Sequence, residues 1–317
     1  MDYTRFFNEF GQPKAKIDFI TLAFPASIEN EADVLRFGNG VKTFGGSIKS
    51  PKKPRWPEDD WVSIHDPSLQ TLQFLLDEYS DTRTKILKLE VAIDFHLKDG
   101  SNDYMRLEEL HSWLKVCLFP QRHELMRKGY RKFYEKSSNK IKRDTLETRS
   151  SKETVYWTDI YNREQVRLYI KTIDGKKPIE RHCVRLEITL FAGGCQRAKL
   201  FWIGNLPRFF KDMRSYLSPF FNVAKGIKPE LPRVRSKNPK KAFKAASEAA
   251  KEKTRVEQRW NRYGAAWAAK HRYKTVPDAE TNRFIGRGLG RLQDRLKSLK
   301  LTQKVPEDPD YEVWKPA

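Results

Sequence analysis

Apolar and polar positions alternate along the first two thirds of the chain in a way that predicts both strands and helices. Strands are predicted where β-branched and aromatic residues alternate with polar ones: Lys16–Pro25, Trp61–Asp66, Lys88–Leu97, Glu153–Ile160, Gln165–Asp174 and His182–Phe191. Helices are predicted where apolar residues recur at helical spacing: residues 68–79, residues 103–119 and Arg208–Leu217. Because short turns separate the last three strands, we expect these strands to form an antiparallel meander.

The last third of the chain predicts two further helices, over Ala242–Lys270 and Ala279–Leu299. The whole pattern is typical of an α+β protein, with a largely antiparallel sheet covered by helices and a basic helical C-terminal extension. Four parts are expected: residues 1–119 as the N-terminal half of the core, 120–152 as a basic insert or linker, 153–224 as the antiparallel half that carries the candidate site, and 225–317 as the extension.

The net charge of +21 is concentrated in two of these parts. Residues 225–317 contain 24 basic and 11 acidic residues, and residues 120–152 contain 11 and 4. Lys and Arg neutralise phosphates, and the aromatic residues among the cations of the insert can stack on exposed bases, although a solvated surface loop is the alternative for the insert. We therefore expect a nucleic-acid partner, contacted by eight basic residues: Arg131, Lys132, Lys140, Lys142, Arg143, Lys240, Lys241 and Lys244.

The sequence lacks the usual signals of several other classes of protein. No apolar run of about 18 residues is present, and the N-terminus does not have the pattern of a signal peptide, so a cytoplasmic protein without a membrane partner is expected. The three cysteines show no C-x-x-C spacing, which argues against a zinc site, and Cys117 is expected to lie in the core. Gly286–Gly290 reads G-R-G-L-G, but it lacks the flanking features of a phosphate-binding loop.

Three of the predicted strands have one apolar face and one polar face. If these strands are neighbours, their polar faces bring together six side chains: Glu90, Asp94, Tyr169, Lys171, Arg185 and Glu187. Clustered carboxylates can hold Mg²⁺ or Mn²⁺, a tyrosine can attack phosphorus, and a nearby Lys or Arg can stabilise the transition state. The alternative is an ordinary solvent-facing side of an antiparallel sheet, lined by cross-strand ion pairs.

Four motifs on these strands resemble, in their order and spacing, the replication initiation factor family. This family comprises the rolling-circle initiators of plasmids and filamentous phages, together with related relaxases. The motifs are V-A-I-D-F-H, T-V-Y-W, R-L-Y-I-K and V-R-L-E-I-T-L, at residues 91–96, 154–157, 167–171 and 184–190. The resemblance covers about residues 16–220, and it implies a metal-dependent enzyme that nicks DNA at a specific sequence through a tyrosine.

The resemblance also implies roles for individual residues. Asp94 and Glu187 correspond to metal ligands, and Glu90 is expected to join them as a third carboxylate. Lys171 and Arg185 are the expected catalytic cations, and the cofactor is Mg²⁺ or Mn²⁺.

The position of the nucleophile departs from the family pattern. Some members carry the tyrosine between the Arg and the Glu of the R-x-E strand, where this chain has Leu186. We therefore expect Tyr169 to be the nucleophile, with Tyr156 and Tyr161 as alternatives.

The sequence thus predicts a rolling-circle DNA replication initiator of a phage, a plasmid or an integrated element. The expected partners are double-stranded origin DNA and the single strand exposed there, while contact with a host helicase and formation of a homodimer stay open. Two rival functions remain. The missing tyrosine in the R-x-E strand favours a DNA-binding initiator without cleavage activity, and the basic charge with interleaved aromatic residues favours an RNA-binding structural protein.

Overall fold

The computed structural model describes residues 8–24, 47–49, 60–118, 134–137, 154–158, 163–174, 177–228, 244, 247–260 and 274–301. The strands are β1 (Lys14–Phe24), β2 (Ser47–Lys49), β3 (Asp60–His65), β4 (Lys85–Phe95), β5 (Tyr134–Ser137), β6 (Val155–Thr158), β7 (Glu164–Asp174), β8 (Lys177–Phe191), β9 (Ala224–Lys228) and β10 (Lys274–Pro277). The α-helices are α1 (Leu69–Tyr79), α2 (Tyr104–Cys117), α3 (Ala192–Arg197), α4 (Leu206–Leu217), α5 (residues 247–260) and α6 (Ala279–Leu296). Two short segments, Ile203–Asn205 and Ser218–Phe221, are 3₁₀ helices.

Eight of the described strands form one sheet in the order β2-β3-β1-β4-β8-β7-β6-β5, and each neighbouring pair is antiparallel. Strands β9 and β10 form a separate antiparallel pair. The predicted α+β fold class with a largely antiparallel sheet is therefore confirmed. Because β4 pairs with β8, strands from the two predicted halves of the core belong to the same sheet.

The alternation seen in the sequence decides which face of the sheet is apolar. In β4, Leu89, Val91 and Ile93 are fully buried in the core, while Glu90 and Asp94 point to the opposite face. The apolar sides of α2 and α6 belong to the same core. Ser68, the first residue of the predicted segment, caps the N-terminus of α1, where its hydroxyl accepts a 3.0 Å hydrogen bond from the Thr71 amide. The Asp103 side chain caps α2 in the same way.

The C-terminal helix α6 is integrated into this core, through Ile285, Leu289, Leu292 and Leu296. The G-R-G-L-G stretch lies inside α6 and is helical, so it does not form a phosphate-binding loop. A Cβ atom on Gly288 would lie 3.1 Å from atoms of Pro13, which shows how closely α6 approaches the segment that leads into β1.

All three cysteines are buried, including Cys117 in the core, as predicted. Burial raises the pKa of the Cys117 thiol to about 12 and also raises the pKa of Cys183 and Cys195. Within the described ranges, no helix has the length and apolar character needed to cross a bilayer.

Candidate active site on the polar face of the sheet

The face of the sheet opposite the core carries a dense set of polar side chains, which we call the polar face. It consists of residues from β1, β4, β7 and β8: Asp18, Glu90, Asp94, Arg167, Tyr169, Lys171, Arg185, Glu187 and Thr189. Glu90 and Glu187 are each only 1% exposed and Arg185 is 3% exposed. The polar face is therefore a buried network of charges, not the solvated side that alternation alone also allows.

Arg185 stands at the centre of this network. In the pairing register it lies opposite Asp94 on one side and Tyr169 on the other. Its Nε and Nη2 atoms donate hydrogen bonds of 2.6 and 2.7 Å to the two oxygens of Asp94, which is the bidentate geometry preferred by an arginine–carboxylate pair. Burial lowers the pKa of Arg185, but the hydrogen bonds and charge of Asp94 and the charge of Asp18 outweigh this effect and raise the pKa above its usual value. The structure therefore places Asp94 as the partner that orients Arg185.

A β-bulge brings Asp18 to the polar face. The pairing of β1 with β4 shifts by one residue between Ile17 and Phe19, which leaves Asp18 as the extra residue. Its Oδ1 accepts a 2.8 Å hydrogen bond from Arg185 and lies 3.1 Å from Lys16 Nζ. Burial raises the pKa of Asp18, but the charges of Arg185 and Lys16 lower it below its usual value, so Asp18 is ionised at neutral pH.

Asp18, Glu90 and Glu187 form a carboxylate cluster, in which one oxygen from each residue lies within 4.8 Å of the other two. Arg167 Nη2 lies 2.8 Å from Glu90 Oε2 and 2.6 Å from Glu187 Oε2, and Thr189 also donates a hydrogen bond to Glu90. Burial raises the pKa of Glu90 to about 7, with a further contribution from the charge of Glu187. A bound divalent cation would offset this repulsion, and oxygen ligands of this kind fit Mg²⁺ or Mn²⁺.

Tyr169 joins the cluster through its hydroxyl group. Tyr169 Oη donates a 2.6 Å hydrogen bond to Glu187 Oε1. Burial raises the pKa of the phenol and the negative charge of Glu187 raises it further, while Arg185 and Arg167 act in the opposite direction. The phenol is therefore protonated at neutral pH, and Glu187 is placed to accept its proton.

Of the remaining predicted catalytic residues, Lys171 lies on β7 and Tyr156 lies on β6. Lys171 is largely buried, and its Nζ lies 3.4 Å from Asp174 Oδ1. Tyr156 is partly buried on β6 and pairs with Arg167 of β7. Tyr161 lies outside the described residues.

Most of the basic residues predicted to contact DNA also lie outside the described residues: Arg131, Lys132, Lys140, Lys142, Arg143, Lys240 and Lys241. Lys244 is described and exposed, as a DNA contact requires. The role of all eight stays a prediction.

Two important members of the polar face were missing from the predicted site, Asp18 and Arg167. Arg167 lies two residues before Tyr169 on the same strand, so alternation alone could have identified it. Asp18 likewise lies two residues after Lys16, but its approach to Arg185 depends on the β-bulge, which has no clear signal in the sequence.

A second group of possible ligands comprises Asp94, His96 and Cys183, whose ligand atoms also lie within 4.8 Å of one another. Both Asp94 oxygens are held by Arg185. Burial raises the pKa of the Cys183 thiol, and Asp94 raises it further, so the thiol stays protonated. In the observed arrangement Asp94 therefore serves Arg185, and the Cys183 thiol would have to lose its proton before it could bind a metal ion.

No model of a known protein family matches the sequence, and no curated protein matches it. Among solved structures, the chain is similar to a rolling circle replication initiator protein from Geobacillus stearothermophilus. The two chains are 12% identical, the match covers 75% of this chain and 96% of that chain, and the TM-score is 0.37. A TM-score this low does not establish a shared fold.

Proposed function

We propose that this chain is a DNA replication initiator of the rolling-circle type, which nicks one strand of origin DNA through Tyr169 with a divalent cation. The observation that carries the proposal is the hydrogen bond from Tyr169 to Glu187, a member of the carboxylate cluster. A nucleophile, a proton acceptor and oxygen ligands for a metal thus lie in one patch. The net charge of +21 suits a polyanionic substrate.

In this proposal the carboxylate cluster of Asp18, Glu90 and Glu187 holds the cation. When bound, Mg²⁺ or Mn²⁺ polarises the scissile phosphate and offsets the negative charge that develops on it. Asp94, a ligand in the sequence-based prediction, is instead a positioning residue, because its two oxygens are engaged by Arg185.

The chemical step uses the contacts of Tyr169. Its Oη attacks phosphorus while its proton passes to Glu187 Oε1. A bond forms between the phenolic oxygen and phosphorus, and the bond from phosphorus to O3′ breaks. The departing O3′ takes a proton from solvent and becomes a free 3′-hydroxyl, while the 5′ end stays linked to Tyr169. Arg185, opposite Tyr169 in the sheet, and Lys171, two residues along β7, supply positive charge for the transition state.

Two cations mark the side from which a phosphate approaches the buried cluster. The side chain of Arg167 is 28% exposed and contacts Glu90 and Glu187. The side chain of Lys16 is 34% exposed and contacts Asp18. Both are more accessible than the cluster carboxylates that they contact, and both attract phosphate.

A randomised pool of single-stranded oligonucleotides tests the proposal without knowledge of the origin sequence. With Mn²⁺ present, the chain should form a protein–DNA adduct that survives denaturing electrophoresis. Tyr169→Phe should abolish the adduct and leave DNA affinity unchanged, whereas Tyr156→Phe, the matched change on the neighbouring strand, should retain it. Failure of the unaltered chain to form an adduct, or an equal yield from Tyr169→Phe, contradicts the proposal.

A second candidate function is a DNA-binding initiator without cleavage activity. It is favoured because hydrogen-bonding groups of the polar face bond to one another: Arg185 donates to Asp94 and Asp18, and the Tyr169 hydroxyl donates to Glu187. A buried ion-pair network of this kind can serve the fold alone. Binding of the pool without any adduct, under conditions where the chain is folded, would favour this candidate.

A further inference from the structure

Helix α6 carries four arginines at four-residue intervals, which we call the arginine row: Arg283, Arg287, Arg291 and Arg295. All four residues are exposed, while the opposite side of the helix is buried in the core. With a rise of 1.5 Å per residue, successive members of the row are about 6 Å apart along the helix axis. The row is therefore a ridge of closely spaced positive charges on the surface.

Two members of the row are held in place by neutral acceptors. Arg291 donates a 2.6 Å hydrogen bond to the carbonyl oxygen of Pro13 and another to the side chain of Gln12. Arg295 donates a 2.9 Å hydrogen bond to the carbonyl oxygen of Ala15. These bonds position the guanidinium groups without neutralising them, and each group retains further N–H donors for a ligand.

Acidic residues do not cancel the charge of the row. Among the described residues, no carboxylate forms an ion pair with any of the four arginines. Helix α6 itself contains two acidic residues, Glu280 and Asp294. Glu280 lies in the first turn, where it complements the helix dipole, and Asp294 lies 3.2 Å from Lys297 Nζ.

Hydrogen bonds near both ends of α6 fix the helix that carries the row to neighbouring segments. The Asn282 side chain accepts a 2.7 Å hydrogen bond from the Val223 amide and donates one of 3.0 Å to the Val223 carbonyl. The Gln293 side chain bonds to the backbone of Arg214 and Lys211 on α4, at 2.9 and 2.6 Å. Because α6 is tied to neighbouring elements near both ends, little backbone ordering entropy is lost when a ligand binds.

We propose that the arginine row binds the phosphate backbone of duplex DNA, as a contact separate from the polar face. A row of guanidinium groups matches the repeated phosphates of a nucleic-acid backbone. Single-strand binding relies on rings for base stacking, but the one aromatic residue of α6, Phe284, faces Phe95 at a ring distance of 6.4 Å. The row also contacts the backbone of Pro13 and Ala15 at the start of β1, the strand that carries Asp18.

This inference concerns binding alone and shares with the proposed function only the expectation that DNA is the partner. Its test is the affinity of the full chain for a fluorescent duplex and for one strand of that duplex, measured by anisotropy over a range of salt with EDTA present. The variant is Arg283→Gln with Arg287→Gln, because neither side chain holds another part of the described structure. The matched control, Lys98→Gln with Lys115→Gln, removes two exposed charges elsewhere.

Each lost phosphate contact should reduce the slope of log affinity against log salt by about 0.9, and the double variant therefore by about 1.8. When the salt concentration rises fourfold, the duplex affinity of the unaltered chain should therefore fall about tenfold further than the duplex affinity of the variant. The control should keep the slope of the unaltered chain, and the variant should lose less affinity for the single strand than for the duplex. An unchanged slope, an equal loss in the control, or a larger loss for the single strand would each overturn the proposal. Since EDTA prevents cleavage, a failed nicking assay leaves this test unaffected.

Discussion

The hydroxyl of Tyr169 donates a 2.6 Å hydrogen bond to Oε1 of Glu187, a residue that it does not directly oppose in the sheet. The register of β7 and β8 pairs Tyr169 with Arg185, and Arg167 with Glu187. The contact is therefore diagonal, between side chains on the same face of two neighbouring strands. This diagonal places a phenol, a carboxylate and two guanidinium groups side by side, which no single strand could do.

Replacing Glu187 by Gln should slow adduct formation by about 100-fold or more, because the proton acceptor of Tyr169 and one carboxylate of the cluster are both lost. Binding of the same DNA should persist, since the phosphate contacts are made by cations. The rate of adduct formation under single-turnover conditions is the measurement. Glu180→Gln, an exposed change on the same strand, is the control and should keep the full rate. Equal rates for the two variants would show that Glu187 takes no part in the chemical step.

Replacing Asp94 by Asn should lower the free energy of unfolding by about 3 kcal/mol, because the buried Arg185 loses its bidentate partner. Equilibrium unfolding in urea measures this change. The control is Asp294→Asn, which breaks a surface pair with Lys297 and should cost about 0.5 kcal/mol or less. Similar losses in both variants would show that the Asp94–Arg185 pair does not stabilise the fold in the way its burial predicts.

Added Mn²⁺ or Mg²⁺ should raise the melting temperature of the chain, because a cation bound only by the folded state stabilises that state. Glu90→Gln should shrink this increase, since one of three oxygen-bearing side chains in the cluster loses its charge. Glu109→Gln, an exposed change on α2, should leave the increase intact. A melting temperature that does not respond to either metal would argue against the carboxylate cluster as a cation site.

The three cysteines should be unreactive in the folded chain. Burial raises the pKa of Cys117 to about 12 and raises the pKa of the other two thiols, so the reactive thiolate form is suppressed at pH 8. Titration with a disulfide reagent such as DTNB should detect none of them before unfolding and all three in denaturant. Rapid reaction of even one thiol in the native chain would contradict this arrangement of the core.

Local patterns were sufficient to predict most of the elements. The segment Lys88–Leu97 was predicted as a strand and β4 spans Lys85–Phe95, because a two-residue alternation reports directly on which side chains face the core. The helix over residues 103–119 corresponds to α2 in the same way, since its apolar residues recur at helical spacing. The order of the strands in the sheet has no such local signal, because it depends on contacts between distant segments.

The candidate site could be predicted in part for the same reason. Alternation identified Glu90, Tyr169, Arg185 and Glu187 as side chains of one polar face, and the structure brings them together. Alternation could not distinguish the role of Asp94 from that of the other acidic residues, because the bidentate contact of Asp94 with Arg185 exists only once β4 and β8 are paired.

Mass spectrometry of the DNA-linked peptide is the most direct test of the central claim, that the polar face cleaves DNA through Tyr169. After reaction with the randomised pool and digestion with trypsin and nuclease, the residual nucleotide should lie on the peptide of residues 168–171, which contains Tyr169. A nucleotide on the peptide of residues 153–163, which contains both Tyr156 and Tyr161, would contradict that assignment. The absence of any modified tyrosine peptide from a folded, DNA-binding sample would contradict cleavage itself.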